Sequence, residues 1–128
     1  DFRILAMGGS DEYRDYYLEC HKAEIARFFP KFDPSDRGER LTYYLLKNSI
    51  PIGLLIGRRR ERDLVIELDY VGAQYRDFKM GTFVYGSAEF FRAQGFDRLV
   101  CPAGGGAHDQ YLKRMGFSRQ GDDFVKPF

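Results

Sequence analysis

Three β-rich runs follow one another between residues 40 and 71 with almost no chain between them. They read RLTYYLLKN (40–48), IPIGLLIG (50–57) and DLVIELDYV (63–71), and short polar turns join them. A parallel connection needs a long crossover, so turns this short join antiparallel neighbours. These runs therefore predict an antiparallel meander, which constrains the fold more than any other feature of the chain.

The segments on either side of the meander alternate between helical and extended patterns. A helix between two strands is typical of a parallel crossover, and the strand DRLVCPA (97–103) follows such a helix. In chain order we predict a strand over 2–7, a helix over 13–29, the three meander strands, a helix over 80–94, a strand over 97–103, a helix over 108–117 and a last strand over 117–125.

Length and composition favour one domain. The 128 residues with 44% hydrophobic content suffice for one core, and we expect one domain over 1–128, alone or within a longer protein. A net charge of +1, from 20 basic and 19 acidic residues, argues against nucleic acid as a partner. We expect no membrane span, because no run approaches the roughly 20 apolar residues required. Cys20 and Cys101 form no zinc or disulfide pattern, so the expected setting is the cytoplasm.

The turn after the third meander strand is basic and precedes a helix. The stretch VGAQYRDFKMG (71–81) places Arg76 and Lys79 beside the first turn of the helix over 80–94. The N–H groups at a helix start lack partners within the helix, and the helix dipole is positive there. We therefore predict an anion site at this turn, suited to a phosphate.

This strand, turn and helix resemble the cofactor-binding motif of the GNAT superfamily of acyl-CoA-dependent N-acetyltransferases. In that family a strand ending V-x-P-x-Y-R is followed by a Gly-x-Gly turn and a helix, and residues 71–81 match the spacing without a gap. The closing YLKRMGF (111–117) resembles the family's second signature, a short helix that ends in Gly-Phe. With the order of elements, the resemblance covers nearly the whole chain.

The resemblance implies an α+β domain with three α/β layers. Its central sheet would be mixed and mostly antiparallel, with helices on both faces and a parallel pair formed by the strands 63–71 and 97–103. It also implies acetyl-CoA, or another acyl-CoA, as cofactor, with the phosphates at the turn from Arg76 to Thr82 and the pantetheine arm along the main chain of Val71 to Ala73. The implied cofactor-binding residues are Val71, Gly72, Ala73, Arg76, Asp77, Phe78, Lys79, Met80, Gly81 and Thr82.

Four positions depart from the family pattern, of which Ala73, in place of the common proline, is expected to matter little. Lys79 replaces the first glycine of Gly-x-Gly, and its ammonium group would contact a phosphate instead. Gly105 replaces the usual asparagine of the second signature, and Leu112 replaces the tyrosine that commonly protonates the leaving thiolate. Because leucine has no proton to donate, Tyr111 or His108 in the same helix is expected to take that role.

Two carboxylates of the third meander strand are candidates for the general base. Glu67 and Asp69 alternate with apolar residues, so a regular strand would direct both to one face. Beside the acyl site, either carboxylate would take a proton from the attacking amine, directly or through water. A solvated sheet face is the alternative interpretation of this pair.

The predicted function is transfer of an acetyl or other acyl group from coenzyme A to an amine of a small molecule or peptide by direct attack. Most of the aromatic residues in and after the first helix are expected in the core, but this region borders the acceptor cleft in GNAT-like domains, and some of them would line it: Tyr13, Tyr16, Tyr17, Phe28, Phe29 and Phe32. The alternative is a non-catalytic acyl-CoA-binding regulatory domain, which the departures at Gly105 and Leu112 would suit. The acceptor is left open, and a homodimer is compatible with either function.

Overall fold

One mixed sheet and five helices account for most of the residues that the structure describes. The structure, a computed structural model of the chain, describes residues 1–6, 11–36, 38–76 and 78–128, with the backbone alone at Phe78. In chain order the elements are β1 (Phe2–Ala6), α1 (Glu12–Cys20), α2 (Lys22–Phe28), β2 (Arg40–Lys47), β3 (Ile50–Arg60), β4 (Asp63–Val71), a 3₁₀ turn (Ala73–Tyr75), α3 (Phe78–Tyr85), α4 (Ala88–Ala93), β5 (Arg98–Pro102), α5 (Gly106–Arg114), β6 (Ser118–Gln120) and β7 (Asp123–Pro127).

The strands lie in the order β1-β2-β3-β4-β5-β7-β6. Each neighbouring pair is antiparallel except β4 and β5, which run parallel. Asn48 and Ser49 join β2 to β3 with φ angles of 50° and 68°, a backbone that suits the twist of a tight hairpin. The predicted meander is therefore β2 to β4, and both it and the predicted parallel pair are confirmed.

Helices cover both faces of the sheet and bury an apolar cluster on each. On the first face, α1 and α2 pack against Leu54, Ile56, Leu68 and Tyr70. On the second face, α3, α4 and α5 pack against a larger cluster that includes Leu55. The predicted three-layer α+β architecture is confirmed.

Among the described residues no helix is both long and apolar enough to cross a membrane.

Two helices predicted as continuous are each divided. The run over 13–29 breaks at His21, whose ring packs on Tyr17 with 4.4 Å between centroids, and α2 continues from Lys22. The run over 80–94 breaks after α3, where Gly86 weakens the helix and the Ser87 hydroxyl donates to the Phe83 carbonyl at 2.6 Å. A side-chain hydrogen bond to the helix backbone thus accompanies the second break, and a ring contact accompanies the first.

The last predicted strand is a hairpin. The sequence predicts one strand over 117–125, whereas the structure pairs β6 with β7 in antiparallel register. Gly121 lies between them with a φ of 62°, a left-handed conformation that glycine adopts without strain. This glycine therefore reverses the chain, and β7 returns beside β5.

Candidate functional site

A cavity opens where β4 and β5 separate. The two strands pair over only three residues each, ending at Val65 and Val100, although both continue further. Beyond that point lies a cavity of about 520 Å³. Its lining combines the second half of β4 with residues of α2, α3 and α5 and of the turn before α3: Phe28, Phe29, Asp69, Tyr70, Val71, Tyr75, Arg76, Met80, Gly81, Val84, Ala107, His108 and Tyr111.

A β-bulge at Glu67 decides which side chains of β4 reach this cavity. Ile66 pairs with Gly57 and Leu68 pairs with Ile56, so Glu67 is an extra residue on its strand. Ile66 consequently packs on the second face and Leu68 on the first, which reverses the alternation along β4. The prediction that Glu67 and Asp69 share a face is therefore wrong.

Glu67 lies on the first face in an ion-pair network. Its carboxylate accepts hydrogen bonds from Arg40 Nε at 2.8 Å and from Arg58 Nε at 3.1 Å. Within the described part of the chain it is not a lining residue of the cavity. Two guanidinium groups hold this carboxylate away from the cavity, so the structure does not support it as a base.

Asp69 lies on the second face, deep in the molecule but accessible from the cavity. Tyr85 of α3 donates a hydrogen bond from its hydroxyl to Asp69 Oδ2. Burial raises the pKa of the Asp69 carboxyl, while this hydrogen bond and the charge of His108 lower it in part. A carboxylate with raised proton affinity in a cavity is suited to accept a proton.

Tyr111 and His108 of α5 both line the cavity beside Asp69. Burial raises the pKa of the Tyr111 phenol, so its hydroxyl keeps its proton at neutral pH. His108 is exposed at the edge, with its ring 6.5 Å from that of Phe29. Leu112 is fully buried and packs in the core. The helix is therefore oriented so that Tyr111, and not position 112, faces the cavity.

Gly81 brings α3 and α5 into close contact. A Cβ atom placed there would overlap the Tyr111 hydroxyl and lie 3.2 Å from Met115 Sδ. The sequence predicts that this glycine allows a phosphate to approach the backbone. In the structure its missing side chain makes room for Tyr111.

Arg76 turns away from the start of α3. Its Nε donates to the Val71 carbonyl at 2.7 Å, its Nη2 pairs with Glu24 of α2, and its guanidinium lies 5.0 Å from the ring centroid of Phe28. Its predicted contact with a phosphate stays a prediction, and in this arrangement the guanidinium group already pairs with Glu24. Arg76 instead links the turn to α2.

A chain of hydrogen bonds extends this link. Tyr70 donates to Glu24 Oε1 at 2.7 Å, so His21 Nδ1, 3.0 Å away, is the donor to the Tyr70 oxygen. These bonds to Tyr70 and Arg76 lower the pKa of Glu24. The network fixes α2 above the cavity, where Phe28 and Phe29 form part of the lining, as the sequence predicts for an acceptor cleft.

The other predicted cofactor residues occupy distinct positions. Lys79 and Thr82 are exposed on α3, whereas Met80 is buried and lines the cavity. The first turn of α3 contains no acidic residue, which keeps its N–H groups suited to an anion. Asp77 lies outside the described residues, and Phe78 is described by its backbone alone.

The open edge of β4 begins two residues earlier than predicted. The Gly72 N–H donates to Ile52 of β3 at 2.9 Å, and the Ala73 carbonyl accepts from the Arg76 N–H within the turn. Because alternate residues of an antiparallel strand bond to alternate sides, Asp69 and Val71 direct their main-chain groups away from β3. The main chain directed to the cavity is therefore that of 69–71 and not 71–73, and within it the Val71 carbonyl already accepts a hydrogen bond from Arg76 Nε.

Tyr85 is a polar residue of this site that sequence reasoning missed, as are Tyr70 and Tyr75 in the cavity lining. Tyr85 follows Gly81 by four residues, so the two lie on one face of α3. A phenol on the face of a helix turned to the core indicates a buried partner, and that signal was available in the sequence.

Among the described residues, no group of histidine, cysteine, aspartate and glutamate side chains could hold a metal ion.

Solved structures resemble this arrangement over the full chain. No protein-family model and no curated protein matches the sequence. A GNAT-family acetyltransferase from Staphylococcus aureus Mu50 has a TM-score of 0.69 at 11% identity, with 99% of each chain covered. The aminoglycoside acetyltransferase AAC(6')-Ib, solved with coenzyme A and also with kanamycin, has a TM-score of 0.71 at 13% identity, covering 99% of this chain and 95% of that one.

A third match comes from a eukaryote. Tetrahymena GCN5 has a TM-score of 0.63 at 18% identity and covers 99% of this chain and 95% of that one. At sequence identities this low, the TM-scores show a shared fold. The fold resemblance predicted from residues 71–81 and 111–117 is thereby confirmed.

Proposed function

We propose that this chain, which has the fold of the GNAT acetyltransferases, is an acyl-CoA-dependent N-acyltransferase. It would transfer an acetyl or other acyl group to an amine of a small molecule or peptide. The observation that carries the proposal is the cavity beyond the point where β4 and β5 separate, whose lining includes the Asp69 carboxyl group, the Tyr111 phenol and residues of α3, a helix with no acidic residue in its first turn. The coenzyme A complex of AAC(6')-Ib, with the same fold, supports it.

The residues at the cavity fit an acyl-CoA. The N–H groups at the start of α3 would hold the phosphates, with the exposed Lys79 ammonium nearby. The Asp69 main chain and the Val71 N–H on the open edge of β4 would pair with the amides of the pantetheine arm. Apolar contacts from Met80 and Val84 would surround the arm. The bound thioester would supply an acyl carbon open to attack by an amine.

Asp69 and Tyr111 would manage the two protons of this transfer. Asp69 would accept the proton that leaves the amine nitrogen as the carbon–nitrogen bond forms. Tyr111 would donate its hydroxyl proton to the sulfur as the carbon–sulfur bond breaks, and it would then recover a proton from solvent. The preference for Tyr111 over His108 rests on its position inside the cavity, whereas His108 is exposed at the edge.

The alternative function is a regulatory domain that binds acyl-CoA without turnover. The observation that favours it is Leu112, which occupies the family's usual proton-donor position and is buried in the core. The two functions share the cofactor site and differ in whether the carboxyl group and the phenol act on an amine.

Calorimetry and thiol release together test both functions. We expect coenzyme A to bind the full chain, and acetyl-CoA to release free thiol when a suitable amine from a broad panel is present. Binding without thiol release across the panel would favour the regulatory domain. Absence of coenzyme A binding would contradict both functions.

A further inference from the structure

Tyr85 places a phenol against the carboxyl group of Asp69 in the interior. Its side chain is 1% exposed, and its hydroxyl donates to Asp69 Oδ2. Its ring packs edge-to-face on Phe117 and Tyr111, with centroids 5.1 Å and 6.4 Å away. These contacts fix the direction of the hydroxyl, so the hydrogen bond is held by the packing of α3 and α5.

Packing alone does not require this hydroxyl. A phenylalanine would fill the same space, and burying a hydroxyl is unfavourable unless it is hydrogen-bonded. Burial raises the pKa of Tyr85 well above its ordinary value, so the phenol keeps its proton wherever Asp69 titrates. Tyr85 is therefore the donor and Asp69 the acceptor whenever Asp69 is ionised.

The groups that face Asp69 come from three elements. Tyr85 faces it from α3, Tyr111 and His108 from α5, and Cys101 from β5. Burial raises the pKa of both Tyr111 and Cys101, so neither carries charge near neutral pH. Within the described chain, Tyr85 makes the one side-chain hydrogen bond to this carboxyl group, and it binds Oδ2.

We propose that Tyr85 is a positioning residue for Asp69, whose hydroxyl holds Oδ2 and thereby leaves Oδ1 directed to the cavity as the proton acceptor. The catalytic consequence rests on the proposed acyltransferase function. In that reaction the proton of the amine moves to Oδ1, and the Tyr85 proton stays on its own oxygen. Tyr85 would thus favour the carboxylate form that burial opposes.

Carboxyl ¹³C NMR of the full chain tests this without an acceptor. Asp69 is assigned by loss of its signal in Asp69→Asn, and its titration is followed in the wild type and in Tyr85→Phe. We expect the Asp69 midpoint to rise by about one pH unit or more in Tyr85→Phe, because a hydrogen bond to the charged form is lost. An unchanged or lower midpoint would overturn the proposal.

Tyr43→Phe is the matched control. Tyr43 is a buried tyrosine on the same face of the sheet, 2% exposed, and its ring packs on Phe90 and Phe91 of α4. We expect its replacement to leave the Asp69 midpoint unchanged. An equal rise in both variants would indicate a general effect of losing a buried phenol and would also overturn the proposal.

The pH profile of kcat/KM separates positioning from a purely structural role. For Tyr85→Phe we expect the acid limb to move to higher pH, with activity recovered at alkaline pH. A uniform loss at every pH would contradict positioning. If the wild type binds coenzyme A but releases no thiol, the proposed reaction is contradicted. In that case the NMR midpoints of Asp69 still test whether Tyr85 positions this carboxyl group.

Discussion

At the scale of single residues, two carboxylates on one strand differ in their surroundings. Asp69 meets a phenol in a cavity, whereas Glu67 meets two guanidinium groups on the opposite face. We expect Asp69→Asn to lower kcat by about two to four orders of magnitude with little change in coenzyme A affinity, since the amide accepts no proton. Steady-state kinetics and calorimetry measure both quantities.

Glu67→Gln is the control for that comparison. It changes the same functional group two residues away, at a side chain that does not line the cavity. We expect its kcat to stay near that of the wild type at a temperature where both are folded. Equal activity losses in the two variants would show that neither carboxylate acts as a base.

At the scale of elements, the contact between α3 and α5 depends on one absent side chain. A Cβ at position 81 would overlap the Tyr111 hydroxyl, so Gly81→Ala should lower the free energy of unfolding by about 1–3 kcal/mol. In a Tyr111→Phe background the overlap with the hydroxyl is gone, but Met115 Sδ and the ring carbon Cζ of residue 111, each 3.2 Å from the added Cβ, still crowd it, so the loss should be smaller than in the wild-type background. Denaturant unfolding of the four chains measures this coupling.

A coupling energy near zero would contradict that account. It would mean that α5 moves away from α3 without cost, or that Tyr111 already occupies another position. The kcat of Gly81→Ala gives an independent measurement, because a displaced Tyr111 hydroxyl would no longer reach the cavity.

The elements also show why the sequence predicts some features and misses others. The meander and the parallel pair follow from connection length, which is visible in the sequence. The bulge at Glu67 leaves no trace there, because both faces of the sheet are covered by helices and apolar residues are buried on either side. Leu68 and Tyr70 suit the first face as well as they would suit the second, so alternation alone placed Asp69 and Glu67 together.

The sequence likewise predicts some parts of the candidate site and misses others. The location of the cavity follows from the spacing of residues 71–81, and Asp69, Tyr111 and His108 all line it. The direction of Arg76 was not predictable, because its partner Glu24 lies 52 residues earlier and nothing local indicates the pairing. Contacts between residues far apart in sequence form only when the layers pack.

At the scale of the whole molecule, Asp69 lowers stability as pH rises. Burial raises its pKa in the folded state, so its stabilising contribution is full below the ordinary aspartate pKa of about 4 and is lost as pH rises through the raised value. We expect Asp69→Asn to have a higher Tm than the wild type at neutral pH, with the difference shrinking as pH falls. Thermal unfolding between pH 4 and 8 measures it. A lower Tm for Asp69→Asn across that range would contradict this assignment.

The cavity is lined by residues from both faces of the sheet: Tyr70 belongs to the first face, and Asp69 to the second. In the proposed transfer, an acceptor against α2 and a donor against α3 would then meet at the carboxyl group from different sides of one cavity. Initial-rate measurements with both substrates varied would give intersecting double-reciprocal lines, the pattern of a ternary complex, and not the parallel lines of a substituted enzyme. Substitutions at the α2 side of the lining would then change the choice of acceptor and leave the binding of the donor at α3 unchanged.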